Sequence, residues 1–287
     1  MPFYDHDMTP SSVTKPKIIF DHFYVVLSPE DYALIKSDPV FHRFFGSTYE
    51  RTVKTGEGNE WTGFYANALD HRYIEFFYEG PRVDEGYVRG AAGIGLCSEK
   101  IGFTSDLDAY YRQHCPGRNL TILERTLNST KLNRVIPWFT ALSTTPLETP
   151  FLKTWAMDYQ RDFIQSSPTF RMKDDDHLDR DYYGFKDPDP SDSQPKIKRI
   201  QSLTLACRES EMEQYRQDLI DLTFELQENS CFELNGFTLR LTPAQSVQNR
   251  VIEVQFELDR EVKDFSHSMG SGWLVGDGVG LFWRALP

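Results

Sequence analysis

Two residues of metal-ligand type, His22 and Glu75, sit in the middle of separate, strongly apolar runs, IIFDHFYVVL at 18–27 and RYIEFFYEG at 72–80. An imidazole and a carboxylate together suit Fe(II), Mn(II), Ni(II) or Zn(II), and donor type alone does not choose among these ions. A carboxylate set among aromatic side chains needs a cation, a hydrogen-bond partner or a raised pKa, because desolvation penalises its charge. A divalent metal that polarises a carbonyl or enolate oxygen would meet that need and stabilise developing negative charge. Each residue also has a plain structural explanation. His22 can bond to Asp21 or a backbone carbonyl, and Glu75 can pair with Arg51 or Arg72.

The elements that must position these two groups follow from the pattern. Alternation along a strand puts Phe20, His22, Tyr24 and Val26 on one face and Ile19, Phe23, Val25 and Leu27 on the other, the second face lying against a helix. Tyr73, Glu75 and Phe77 share a face of the later strand, with Ile74, Phe76 and Tyr78 opposite. Between them Ser28 caps a helix with Pro29 in its first turn, carrying Tyr32, Leu34 and Ile35 and stopping near Asp38-Pro39. Strands follow at 48–54 and 61–66 around a tight turn at 56–59.

This order of strand, helix and three strands recurs. A strand at 93–97 leads to a helix capped by Ser105, then to a strand at 120–128. Within that strand Leu123-Glu124-Arg125-Thr126-Leu127 matches Tyr49-Glu50-Arg51-Thr52-Val53. Trp138-Phe139-Thr140-Ala141 takes the place of Trp61-Thr62-Gly63-Phe64, and residues 151–160 take the place of the Glu75 strand. A third, more diverged pass has a strand at 200–207, a helix at 209–222, a hairpin around Asn235-Gly236 and a strand at 251–258. The expected organisation is a loose arm at 1–16, modules at 17–80 and 90–162, an acidic, Pro-rich linker or excursion at 166–197, a third module at 198–260 and a Gly-rich tail at 261–287.

A chain of 287 residues has room for substantial cores. Its formal charge of −12 argues against a nonspecific nucleic-acid or anionic-membrane surface, which leaves small molecules or other proteins as partners. No apolar run approaches the roughly eighteen residues that span a bilayer, and the N-terminus lacks a signal-peptide layout. The four cysteines are far apart, which suggests reduced thiols in the cytoplasm, where the sequons at Asn119 and Asn128 carry no glycan.

With His in a first strand (Asp21-His22-Phe23) and Glu in a fourth (Ile74-Glu75-Phe76), the repeated modules resemble the vicinal oxygen chelate superfamily of glyoxalases, extradiol dioxygenases, epimerases and antibiotic-resistance proteins. FDHFYVVL followed by IPWF and TWAMDY is similar to a glyoxalase-like family of unknown function, DUF5829. The resemblance covers residues 18–160, and 198–258 only as a general module. It implies an α+β fold in which repeated βαβββ modules form curved mixed sheets around a pocket, with a divalent metal in many members. The sequence departs from that pattern in its donors. The place of His22 falls near Gly93 in the second module and at Ser202 in the third, and the place of Glu75 falls near Met157 or Asp158 and at Glu253. The resemblance thus implies His22 and Glu75 as metal ligands with Asp158 or Glu253 as a third, and Glu75 or Glu253 as a base.

Tyr24, Trp61, Tyr73, Phe77, Trp138 and Trp155 are the candidate substrate-binding walls, with core packing as their alternative role. His177 among Asp174, Asp175, Asp176 and Asp179 reads as a solvated acidic loop rather than a metal cluster. Gly276-Asp277-Gly278-Val279-Gly280 lacks the flanking strand and helix of a dinucleotide loop. Three functions stay open at this level. One is a metal-dependent lyase, isomerase or dioxygenase acting on a small oxygen-bearing molecule. The others are a metal-free binding protein of the same fold, and an interaction protein whose third module mediates homo-oligomer formation.

Overall fold

The computed structural model describes residues 14–80, 87–115, 120–129, 131–143, 152–167, 170–179, 193–222, 224–228, 230–244 and 250–285. The arm expected at 1–16 and much of the acidic segment expected at 166–197 lie outside them. In chain order the elements are β1 (Ile19–Leu27), α1 (Pro29–Ser37), α2 (Pro39–Phe44), β2 (Ser47–Lys54), β3 (Glu60–Asn67), β4 (Tyr73–Tyr78), β5 (Ala92–Cys97), α3 (Phe103–His114), β6 (Thr121–Ser129), β7 (Arg134–Ser143), β8 (Leu152–Tyr159) and α4 (Arg161–Ser166). There follow β9 (Ile197–Cys207), α5 (Glu209–Asp221), β10 (Glu225–Leu226), β11 (Cys231–Leu234), β12 (Phe237–Pro243), β13 (Val251–Met269) and β14 (Gly272–Ala285).

The first eight strands form one sheet in the order β2-β3-β4-β1-β5-β8-β7-β6, and the remaining six form a second in the order β10-β11-β12-β9-β13-β14. In the first sheet each half is a βαβββ module whose fourth strand returns parallel beside its first, β4 against β1 and β8 against β5. The halves join where β1 meets β5 antiparallel. This is an α+β fold of paired βαβββ modules with a curled sheet. The sheet curls until its two edge strands touch at one end. Thr55 bridges Leu127, the Gly56 amide donates to Thr126 O at 3.2 Å, and Asn128 Nδ2 donates to Thr55 O at 2.9 Å. A Cβ on Gly56 would lie 2.1 Å from Thr126 Oγ1, so only glycine allows this approach. The repeat seen in the sequence is physical here: Trp61 and Trp138, which hold matching places in the two modules, stack on each other at 5.8 Å.

The second sheet opens with a third module in which β12 returns parallel to β9. Where a fourth module would follow, β13 pairs antiparallel with β9 as β5 does with β1, and then folds back as β14. The strand expected at 251–258 therefore belongs to this hairpin and is not the fourth strand of the third module, and the segment expected as a Gly-rich tail is the edge strand β14. Asn235 and Gly236, both at positive φ (49° and 76°), make the tight turn between β11 and β12.

Two helix expectations also change. Ser28 caps α1 with Pro29 at its start, but Asp38 then caps α2, because Pro39 ends one helix and can begin another. Ser105 lies inside α3, which begins at Phe103 behind Gly102, φ 80°.

The sheets pack through one apolar core. Phe20 stacks on Phe237 with ring centroids 3.7 Å apart and planes within 2°, and Phe76 meets Trp283 edge-on at 5.7 Å. Arg72 donates to Ile200 O at 3.1 Å across the same interface, which takes it away from the Glu75 pairing open to it in the sequence. Phe237→Ala opens a cavity at this contact and is expected to lower the unfolding free energy by about 3–5 kcal/mol, measured by equilibrium urea unfolding. A change within error would mean that the stacked pair does not couple the sheets.

Candidate functional site

Strict alternation fails at one place in β1, and that place builds the site. Against β5, Phe20 pairs with Leu96 and the next partner pair is His22 with Gly95, so Asp21 is the extra residue of a β-bulge. Phe20 thereby leaves the face expected for it and joins Phe23 and Val25 in the core between the sheets. Asp21 and His22, adjacent in sequence, can then bond side chain to side chain, with Asp21 Oδ2 2.8 Å from His22 Nδ1. Both are buried, at 4% and 3% exposure. The Cys97 thiol donates to the other carboxylate oxygen at 3.2 Å, and none of the four cysteines is in a disulfide. A carboxylate can only accept, so Nδ1 carries the hydrogen of this bond.

The imidazole lies flat. It stacks on Tyr73 at 4.4 Å with planes within 9°, and Trp155 meets it edge-on at 5.4 Å. Beneath it is Gly95, where a Cβ would stand 2.3 Å from His22 Cε1. At Gly93 a Cβ would stand 2.2 Å from Tyr24 and 2.6 Å from Trp155. The glycines of β5 thus form a floor on which three rings lie down, a requirement for Gly-Ile-Gly that alternation alone does not reveal.

Glu75 shares the His22 face. Its cross-strand partner in β1 is Tyr24, while that of His22 is Tyr73, so the two groups are diagonal neighbours. Glu75 accepts a hydrogen bond from the Tyr65 hydroxyl, the residue opposite it on β3. Burial, and then the Glu75 carboxylate, push the Tyr65 pKa well above that of an ordinary tyrosine. Burial does the same to Tyr73, assisted by Tyr159, Asp21 and Glu75. Phe77, Tyr24 and Trp155 complete a cluster with Tyr87. Trp61 joins this cluster to a second one around Trp138 at the closed end of the sheet.

The other expected donors are elsewhere. Asp158 projects from the helix side of β8, where its Oδ2 accepts from the Gly102 amide at 2.6 Å and from Thr104 Oγ1 at 3.5 Å, capping α3 in place of Ser105. Glu253 belongs to the second sheet and pairs with Arg284 at 2.7 Å. The position across from His22 is Gly95, so no second histidine or carboxylate faces it on that side. Among the described residues no three His, Cys, Asp or Glu side chains gather to hold a metal. Among the described residues His22 Nε2 and Glu75 supply two donors, one fewer than the three protein ligands of a catalytic zinc site. Asp174 is occupied locally, accepting from the Asp176 amide at 2.9 Å and from the His177 amide and Nδ1 at 2.8 Å, as expected of a surface turn.

His22 and Glu75 thus share one face of the first sheet within an aromatic interior. Residues 20–284 match the family of unknown function DUF5829, and the chain belongs to that family. No curated protein matches it. Among solved structures it is similar to a catechol 2,3-dioxygenase, with 12% identity over 94% of this chain and 90% of that one and a TM-score of 0.44. It is also similar to 2,2',3-trihydroxybiphenyl 1,2-dioxygenase from the dibenzofuran-degrading Sphingomonas wittichii strain RW1, with 10% identity over 95% and 92% and a TM-score of 0.38. No helix among the described residues is long and apolar enough to cross a membrane.

Two outcomes test this geometry. Gly95→Ala is expected to lift the His22 ring off Tyr73 and break its bond to Asp21, at about 1–3 kcal/mol of stability. Loss of the downfield His22 Nδ1–H resonance in NMR would report it, and an unchanged resonance would contradict it. Burial raises the Asp158 pKa to about 6 despite its hydrogen bonds. The folded state therefore holds this proton more tightly than the unfolded chain, and the Asp158 contribution to stability is full below about pH 4 and lost as pH rises through about 6. Between those values wild-type stability should fall relative to Asp158→Asn, as read from urea unfolding at several pH values.

Proposed function

We propose that this protein binds a small, oxygen-bearing organic molecule inside the curl of its first sheet, with aromatic rings as walls and His22 and Glu75 as polar contacts. The observation that carries this is the state of His22. Its Nδ1 is held by Asp21, while its Nε2 takes no hydrogen bond from a described residue. A ring nitrogen that keeps some access inside an aromatic interior is a contact point for a ligand. Tyr24, Tyr73, Phe77 and Trp155 supply the ring faces nearest to it, and Trp61 and Trp138 line the far end. Sites of this kind are largely apolar with a few convergent polar groups. The acidic charge favours a small molecule over a polyanion, and four cysteines outside any disulfide suit a reducing compartment such as the cytoplasm.

A second reading is a metal-dependent enzyme with lyase, isomerase or dioxygenase chemistry, and its support is that His22 and Glu75 share one face. One preparation separates the two. Protein purified without chelator is examined for metal content and screened by thermal unfolding against small aromatic alcohols, ketones and aldehydes. The binding reading expects substoichiometric metal and a rise in Tm with some compounds, with affinity at least tenfold weaker in His22→Ala. Stoichiometric metal that His22→Ala loses would select the enzyme, and a screen with no response would remove the binding reading.

A further inference from the structure

We infer that a single buried water molecule bridges the Trp283 indole to Asp31 and Ser271, and that this water completes the seating of the β13–β14 hairpin on the first sheet. The site lies behind β1, on the core side of that strand rather than the His22 side, so it stands or falls independently of the binding reading above.

An indole without a partner points to it. Trp283 is 3% exposed, and its Nε1, sealed from solvent, donates to no described residue. An indole N–H can only donate, and a buried donor in a folded protein is normally paired with a protein acceptor or an ordered water. The ring is held in place: Phe76 meets it edge-on at 5.7 Å, and its backbone pairs with Val254 in the hairpin ladder.

The same indole lines a cleft with Val25 and Leu27 of β1, Asp31 of α1, and Ser271 and Gly272 of the hairpin tip. The cleft leaves about 10 Å³ for the centre of a water-sized body. That is room for about one water and for no organic ligand. Purely apolar spaces of this kind stay dry, whereas one carrying several polar groups holds water. The tip sets those groups around the cleft. A Cβ on Gly270 would lie 2.5 Å from Asp31 Oδ1, and one on Gly272 would lie 2.8 Å from Trp283 Nε1, so the glycines on either side of Ser271 keep the approach to both groups open.

The count of hydrogen bonds also fits a water. Asp31 Oδ1 accepts from the Ser271 amide at 2.9 Å, and Oδ2 accepts from Ser271 Oγ at 2.7 Å and from Ser28 Oγ at 3.1 Å. A carboxylate offers about four acceptor positions, which leaves one on Oδ1, and Ser271 Oγ still has a lone pair once its hydrogen is given to Asp31. A water that accepts from the indole and donates to Asp31 and to Ser271 makes three bonds, the usual number for a buried water.

The test is a crystal structure of the full chain at a resolution that shows ordered solvent. The expected result is one peak of water density within about 3 Å of Trp283 Nε1 and equally close to an oxygen of Asp31 or Ser271. The peak should be lost in Trp283→Phe, which keeps a flat ring but has no donor. In solution, ¹⁵N-tryptophan-labelled wild-type protein should show a cross-peak between water and the Trp283 Nε1–H, identified by its contact with Phe76. Its sign should be opposite in laboratory-frame and rotating-frame spectra, the mark of a water that tumbles with the protein. The two wild-type measurements decide the matter if the variant does not fold. A dry cleft, an additive in place of water, Nε1 bonded directly to a protein oxygen, or a peak that reaches neither Asp31 nor Ser271 would each overturn the inference. So would a peak unchanged in Trp283→Phe, or a missing cross-peak in solution.

Discussion

The hydrogen bond between Asp21 and His22 depends on a single extra residue in β1. In a regular strand these neighbours would point to opposite faces, and the carboxylate would be buried in the core between the sheets with no partner in reach. The bulge brings them together and sends Phe20 the other way, onto Phe237. One local irregularity therefore performs two tasks. It orients the buried imidazole of the aromatic interior, and it supplies a stacked ring that holds the second sheet to the first.

The opposing strand is matched to this arrangement. β5 is buried throughout, and its two glycines give way where His22, Tyr24 and Trp155 press closest. The pairing of modules gives the curl, the contact of Gly56 with Thr126 closes one end, and the Trp61–Trp138 stack fills that end. Opposite His22, β5 offers only the backbone of Gly95, and the interior draws its polar groups from His22, Glu75 and the tyrosine hydroxyls around them.

The second sheet has a supporting part. Its third module and the long β13–β14 hairpin cover the apolar side of the first sheet. Asp31 accepts from the Ser271 amide at 2.9 Å and from its hydroxyl at 2.7 Å, and His267 bonds to Asp38 at 2.7 Å, so the hairpin tip is fastened to the helix starts of the first module. Its carboxylate Glu253 is spent on Arg284.

Much of the fold was legible in the sequence because periodicity, caps and turns are local. The alternation at 18–27 and 72–80, the Ser28-Pro29 start, the Asn235-Gly236 turn and the match between 49–53 and 123–127 each rest on a few adjacent residues. The shared face of His22 and Glu75 was legible for the same reason, since both follow the period of their strands. What only the tertiary structure decided is how partners distant in sequence meet. A bulge is a property of two strands in register, and so is a glycine that must yield to a ring on its neighbour. Asp158 and Glu253 could be matched to donor positions along the chain, yet one caps a helix and the other lies in another sheet. Side-chain type marks what a residue can do, but the pairing of strands determines which side chains share a space.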